Sequence, residues 1–322
     1  MGLGDILRRI FLGKDASPAS PRAHVNPYAH RPDSISDVPV RDQPSRDLHE
    51  LSQRLGMDAG ELAACPIEYS VFRIPKRSGG TREISAPSAS LKTFQRIVLR
   101  RLLARLKVHP AAEGFERGRS IVTNARRHVG RSVVLHMDIQ DFFGRTTERR
   151  VRDYFRGIGW DKQAAALLTR LCTHGGALPQ GAPTSPRLSN LVNYVLDTRL
   201  HALAARMGAA YTRYADDLTF SFEADRPGAV GSVIRAAKGI IDEYGYRLHT
   251  RRKLHVRREH DRQVVTGLVV NRKVQLPRPT RRRLRAVRHH LATDRTATLT
   301  PAQLAGWDAL QSMIRTQADA AS

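Results

Sequence analysis

A chain of 322 residues that is 41% hydrophobic is long enough for two or three subdomains around a substantial core. Its 54 Lys and Arg against 30 Asp and Glu give a formal net charge of +24, which makes a polyanion, nucleic acid first, the expected partner. No run of about 18 apolar residues is present to span a bilayer, and two isolated cysteines, Cys65 and Cys172, exclude a cysteine-based zinc site and fit a reducing cytoplasm.

The first residues, MGLGDILRRIFLGKD, carry apolar positions suited to a short amphipathic helix, with charges where a secretory core would need none. Residues 15–45 are rich in Pro, Ser, Asp and Arg without a sustained period and read as a tether or arm. Leu48, Leu51, Leu55 and Leu62 recur at helical spacing around a glycine. Two β-prone runs, Tyr69 to Ile74 and Thr81 to Ser85, flank Gly79-Gly80 and predict a hairpin carrying Arg73, Lys76, Arg77 and Arg82. SLKTFQRIVLRRLLARL (90–106) predicts a helix with a basic outer face, and SVVLHMD (132–138) a strand that ends in an acid.

DFFGRTTERRVRDYFRGIG and DKQAAALLTRLCTHG read as helices. LPQGAPTSPRLSNLVNYVLDTRLHALAAR starts as a loop and becomes one long helix capped near Thr184 or Ser185. YTRYADDLTFSF predicts a hairpin whose turn falls at Asp216 and Asp217, followed by a helix in GAVGSVIRAAKGIIDEYG. PTRRRLRAVRHHLATDR places Leu284, Val287 and Leu291 on one helical face, with Thr280 as N-cap and arginines around the rest. This order suits an α+β fold with a mostly antiparallel sheet, divided as 1–46 extension, 47–132, 133–276 and 277–322.

Two adjacent aspartates on so basic a chain are the feature that points to chemistry. Asp138 ends one strand and Asp216-Asp217 sit in a hairpin, so antiparallel pairing would gather three carboxylates at one end of a sheet. Mg²⁺ binds through one or two carboxylates plus substrate phosphates, and two ions about 4 Å apart suit an in-line phosphoryl displacement. The plainer reading is that Asp-Asp supplies turn residues for a hairpin.

The sequence resembles the reverse transcriptases at three boxes in the right order. HMDIQDFF (136–143) is similar to the first catalytic box, LPQGAPTSPRLSNLV (178–192) to the template and nucleotide box, and RYADDLTFS (213–221) to the second catalytic box. The resemblance runs from about Tyr69 to Val270 and implies a right-hand polymerase with fingers, palm and a small helical thumb. It implies two Mg²⁺ ions on Asp138, Asp216 and Asp217 with the Ile139 carbonyl, and dNTPs as substrates. Asp141 and Phe142 would lend backbone amides to the triphosphate, and Phe143 would be the steric gate against a ribonucleotide 2′-hydroxyl. Gln180 and Gly181 would contact the incoming nucleotide and template, while Lys76 and Arg82 would grip the β and γ phosphates. Lys253 matches the lysine that protonates pyrophosphate, in a register that Arg251 and Arg252 leave open.

Asn124 and His128 in an NAxxH segment, with Val265-Thr266-Gly267 after the last strand, are similar to bacterial retron reverse transcriptases. That resemblance implies recognition of a cognate structured noncoding RNA, in which these five residues and thumb residues Arg281, Arg282, Arg285 and Arg288 would take part. It also implies priming from a 2′-hydroxyl, a branched RNA-linked single-stranded DNA and an accessory effector in phage defence, while the lack of a spanning apolar run leads to the expectation of no membrane partner. The alternatives are another bacterial reverse transcriptase, from a group II intron, diversity-generating or defence system, and a catalytically silent RNA-binding protein of the same fold.

Overall fold

A computed structural model describes residues 45–75, 79–249, 254–293 and 295–318. The extension over 1–44, Lys76, Arg77 and Lys253 lie outside the described residues.

Its N-terminal part is helical. Asp47 accepts a hydrogen bond from the Glu50 amide and starts α1, Leu48–Leu55; Asp58 starts α2, Ala59–Ala64. A two-stranded antiparallel hairpin follows, β1 (Tyr69–Pro75) and β2 (Thr81–Pro87), and then α3, Ala89–Arg101. Leu51, Leu55, Leu91 and Val98 are fully buried in a core shared with α5 (Glu148–Gly157) and α6 (Lys162–Cys172).

The central sheet has four strands in the order β4-β5-β3-β6, all antiparallel: β3 (Val133–Asp138), β4 (Ala209–Tyr214), β5 (Asp217–Phe222) and β6 (His255–Arg258). Alternation along β3 decides what each face does. Val133, Leu135 and Met137 join a core with α8 (Tyr194–Arg206) and α9 (Ala229–Glu243). Val134 points the other way, into a third core formed by α4 (Ile121–Arg126), β7 (Val264–Val265), β8 (Leu268–Val269), α10 (Arg278–Ala292) and α11 (Pro301–Ala318). His136 and Asp138 follow Val134 on that second face.

Three boundaries differ from the sequence expectation. The helix expected from Asp141 begins only at Glu148, because Thr147 caps it and Asp141 to Thr146 form a turn. The long helix is broken in two, α7 (Ser185–Val192) and α8, at Asn193, whose buried amide donates to the Ser189 carbonyl at 2.7 Å and the Tyr246 hydroxyl at 2.9 Å. Its first cap, Thr184, makes no side-chain capping bond. Thr280 is not the N-cap of α10; the helix begins at Arg278 after Pro277, with Pro279 in its first turn where a missing amide costs nothing. No helix among the described residues is long and apolar enough to cross a membrane.

Candidate active site at the end of the central strands

β3 and β5 pair so that Asp138 stands directly opposite Asp217 at the strand ends. The hairpin turn is Ala215-Asp216, since Tyr214 still pairs with Asp217. Asp217 is therefore the first residue of β5, not the second turn residue expected from the sequence. Ala215 takes a left-handed φ of 58°, a strained conformation for a residue with a Cβ. The Asp216 carbonyl accepts from the Ile139 amide at 2.9 Å, joining the turn to the residue after Asp138. The pairing thus brings Asp138, Ile139, Asp216 and Asp217 together.

Two histidines flank the carboxylates. His136 Nδ1 lies 3.7 Å from Asp217 Oδ1 and 3.3 Å from the Thr219 hydroxyl. His249 Nε2 lies 3.6 Å from Asp138 Oδ1, and the His249 amide donates to the Asp138 carbonyl at 2.8 Å.

No group of three His, Cys, Asp or Glu side chains among the described residues could hold a metal unaided. The donor set nonetheless suits a hard divalent cation, which takes one or two carboxylates and completes its shell with water and substrate phosphate.

The turn after β3 separates two adjacent rings. Phe142 is buried, stacked on Tyr246 with centroids 5.6 Å apart, whereas Phe143 is half-buried and packs against the first hydrophobic core. Asp141 is exposed with a left-handed φ of 46°.

Gln180 and Gly181 sit against the hairpin: the Gln180 carbonyl accepts from the Ser85 amide at 2.9 Å. Gly181 has φ 134°, and a Cβ there would lie 2.7 Å from the Ser85 carbonyl oxygen. Its lack of a side chain is thus required by the protein's own β2 strand, where the sequence alone suggested the template as the reason. Arg82 is exposed on β2 beside the open Gly79-Gly80 tip.

The turn is braced from inside by a network that sequence reading missed. Arg213 and Asp197, both 0% exposed, form a bidentate pair with N–O distances of 2.8 and 2.6 Å. The same guanidinium donates to Asn190 Oδ1 at 3.0 Å and to the Ala215 carbonyl at 3.2 Å. Burial pulls Arg213 down, but the Asp197 carboxylate more than reverses this and leaves it above its ordinary value. The available signal was alternation, which turns Arg213 inward from a β-strand, where an arginine requires a buried acid.

The expectation of direct RNA contact is corrected for Asn124, His128 and Val265, which are buried. His128 bridges the Ser221 hydroxyl at 2.7 Å and the Thr212 hydroxyl at 2.8 Å, joining β5 to β4 beneath the site. Burial, with His136, Arg131 and Arg127 nearby, lowers its pKa to about 3. Thr266 and Gly267 form the β7-β8 turn with φ 46° and 84°, and the Thr266 hydroxyl donates to the Ile121 carbonyl at 2.9 Å. The two segments therefore pack on each other.

Arg281, Arg285 and Arg288 line, with Arg278 and Gln311, a groove of about 380 Å³ between α10 and α11. Arg282 is exposed outside that lining, and Arg288 is already engaged by Asp308 and Gln311.

A family model described as reverse transcriptase (RNA-dependent DNA polymerase) matches residues 74–260, a span that takes in β2, the aspartates and the central sheet. This chain belongs to the retron-type reverse transcriptase family. It is 41% identical over 273 residues to the retron Mx65 reverse transcriptase of Myxococcus xanthus, covering 77% of this chain and 63% of that one. It is 37% identical to the retron Mx162 reverse transcriptase of the same organism, covering 79% and 62%. It is 32% identical to the retron Ec86 reverse transcriptase of Escherichia coli, covering 81% and 82%. The chain thus spans somewhat under two thirds of the length of its two Myxococcus relatives. Members of the family use divalent metal ions.

Proposed function

We propose that this chain is an RNA-directed DNA polymerase that extends a primer on an RNA template with dNTPs. The observation that carries the reading is Asp138 opposite Asp217 at the ends of β3 and β5, with Asp216 in the adjoining turn. In this reading the chain is a right hand: an extension over 1–46, fingers and preceding helices over 47–132, palm over 133–276, and thumb over 277–322. Asp138, Asp216, Asp217 and the Ile139 carbonyl would hold two Mg²⁺ ions, which supply charge neutralisation for the attacking and leaving oxygens.

The chain's own residues do the remaining work. Arg213 fixes the Ala215 carbonyl and hence the turn carrying Asp216. Half-buried Phe143 stands as the sugar gate, and Arg82, with Lys76 and Lys253, supplies cations to the triphosphate and pyrophosphate. Asp141 and Phe142 amides, Gln180 and Gly181 complete the nucleotide site. Gly267 and the exposed α10 residues Arg281, Arg282 and Arg285 offer contacts to a structured RNA, with half-buried Thr266 and Arg288 beside them, the cations suiting its phosphates.

The family relation further supports priming from a 2′-hydroxyl of a cognate noncoding RNA, a branched RNA-linked DNA product, an accessory effector in phage defence, and a cytoplasmic setting. The test is primer extension by purified protein on a primed RNA template with Mg²⁺ and dNTPs. Asp216→Ala with Asp217→Ala is expected to abolish synthesis with RNA affinity within about threefold of the parent, a difference under ~0.7 kcal/mol. Continued synthesis by that variant refutes the metal-site reading. A debranching-sensitive RNA-DNA junction in the native product tests the priming mode.

A further inference from the structure

Phe115 is 45% exposed, has a left-handed φ of 64°, and lies beside the catalytic turn. Its ring centroid is 6.2 Å from that of Phe143 and 6.4 Å from that of Tyr214, the residue that precedes Ala215. Apolar rings scattered singly on a surface need no explanation. This one is held where it is by its flanks.

The preceding segment is zipped to the edge of β4. The Arg213 amide donates to the Ala111 carbonyl at 2.8 Å, and the Glu113 amide donates to the Arg213 carbonyl at 2.7 Å. Gly114 approaches the catalytic turn so closely that a Cβ there would meet the Ala215 nitrogen at 2.8 Å. The Gly114 carbonyl accepts from Asn190 Nδ2 at 2.7 Å, and Glu116 is clamped by Asn190 and Arg187. Anchors on both sides therefore fix a strained residue whose ring remains open to solvent. Backbone strain retained around an exposed ring, next to reacting groups, is the pattern of a ligand contact.

We propose that Phe115 is a nucleotide-contacting residue, its ring forming with Phe143 and Tyr214 an aromatic surface against which the incoming nucleotide packs. This rests on the reading of Phe143 as the sugar gate, and adds a second ring that sets nucleotide affinity. Stacking on aromatic rings tolerates all four bases, since each has a π face, so the contact serves a templated polymerase without biasing its copying.

The experiment is single-nucleotide incorporation on a primed RNA template with Mg²⁺, using Phe115→Gly, Phe115→Tyr and Phe143→Ala. Glycine removes the ring while accepting the left-handed backbone, so folding is preserved. Phe115→Gly is expected to raise KM for dNTP about tenfold or more, about 1.4 kcal/mol, with kcat within about threefold and Tm equal to or above that of the parent. Phe115→Tyr is expected to restore the parental KM. An unchanged KM in Phe115→Gly overturns the proposal, as does a lowered Tm with reduced kcat and parental KM, which would mark the ring as structural. Phe143→Ala is read separately by its dNTP over rNTP preference. Loss of that preference upholds the gate whatever Phe115 does, and an unchanged preference refutes the gate while Phe115 is still judged by its own KM.

Discussion

Replacing Asp197 by Ala removes the only acid, among the described residues, that is bonded to the fully buried Arg213 guanidinium. The variant loses two charge-assisted hydrogen bonds, at 2.8 and 2.6 Å, and the acceptor of the Tyr211 hydroxyl at 2.9 Å. Breaking one partner of a buried ion pair costs about 3–5 kcal/mol, because the remaining charge is left buried without compensation. Unfolding entropy scales with chain length, so for a domain of this size about 1 kcal/mol moves Tm by roughly 1.7 °C. The expected fall in Tm is therefore about 5–9 °C. Differential scanning calorimetry measures it, alongside primer extension at a temperature where the variant is folded. Polymerisation should fall further than folding explains, because Arg213 also holds the Ala215 carbonyl. A Tm within about 2 °C of the parent, by the same scaling, refutes the claim that this pair braces the turn. Replacing both Arg213 and Asp197 by apolar residues of similar size should recover much of the stability but not the rate.

Gly181→Ala places a Cβ 2.7 Å from the Ser85 carbonyl oxygen at φ 134°, so a loss of about 1–3 kcal/mol is expected in urea unfolding, with a raised KM for dNTP. His128 is neutral in the fold with a pKa near 3, below its unfolded value, so its contribution is complete above about pH 6.5 and declines as pH falls toward 3. Stability should drop by about 2 kcal/mol between pH 7 and 5, and His128→Gln should flatten that slope in pH-dependent denaturation. Arg281→Ala and Arg285→Ala should each weaken RNA binding at low salt. Each should also reduce the slope of log affinity against log salt by about 0.7–0.9 for every phosphate the variant no longer neutralises, measured by filter binding.

The sequence pattern made the chemistry legible because strand period and residue type coincide at the aspartates: an apolar run ending in Asp138 and a second run opening at Asp217 had to pair at their acidic ends. The hairpin and most helices were visible for the same reason, their apolar spacing being undisturbed. What was not visible depends on partners distant in the chain. Asn193 breaks a helix because the Tyr246 hydroxyl waits for its amide, which no local propensity reveals. His128 carried the look of a surface motif beside Asn124, yet both are interior, His128 bonded to Ser221 and Thr212 across two strands. Arg213 was passed over because charge on a basic chain reads as surface, whereas its buried partner lies on α8.

The strand order β4-β5-β3-β6 puts β3, the first of the four to be made, between two neighbours made later. Val133, Val134 and Leu135 leave the ribosome as an unpaired apolar edge, and Arg258, the final residue paired to them, follows 125 residues after Val133 (258 − 133). At about 5–20 residues per second, that interval is roughly 6–25 s. Through most of it the nascent strand has nothing of its own chain to pair with, and the helices made in between shield only part of it. An apolar strand left unpaired for that long is open to pairing with other chains, so yield should fall when expression is fast and warm.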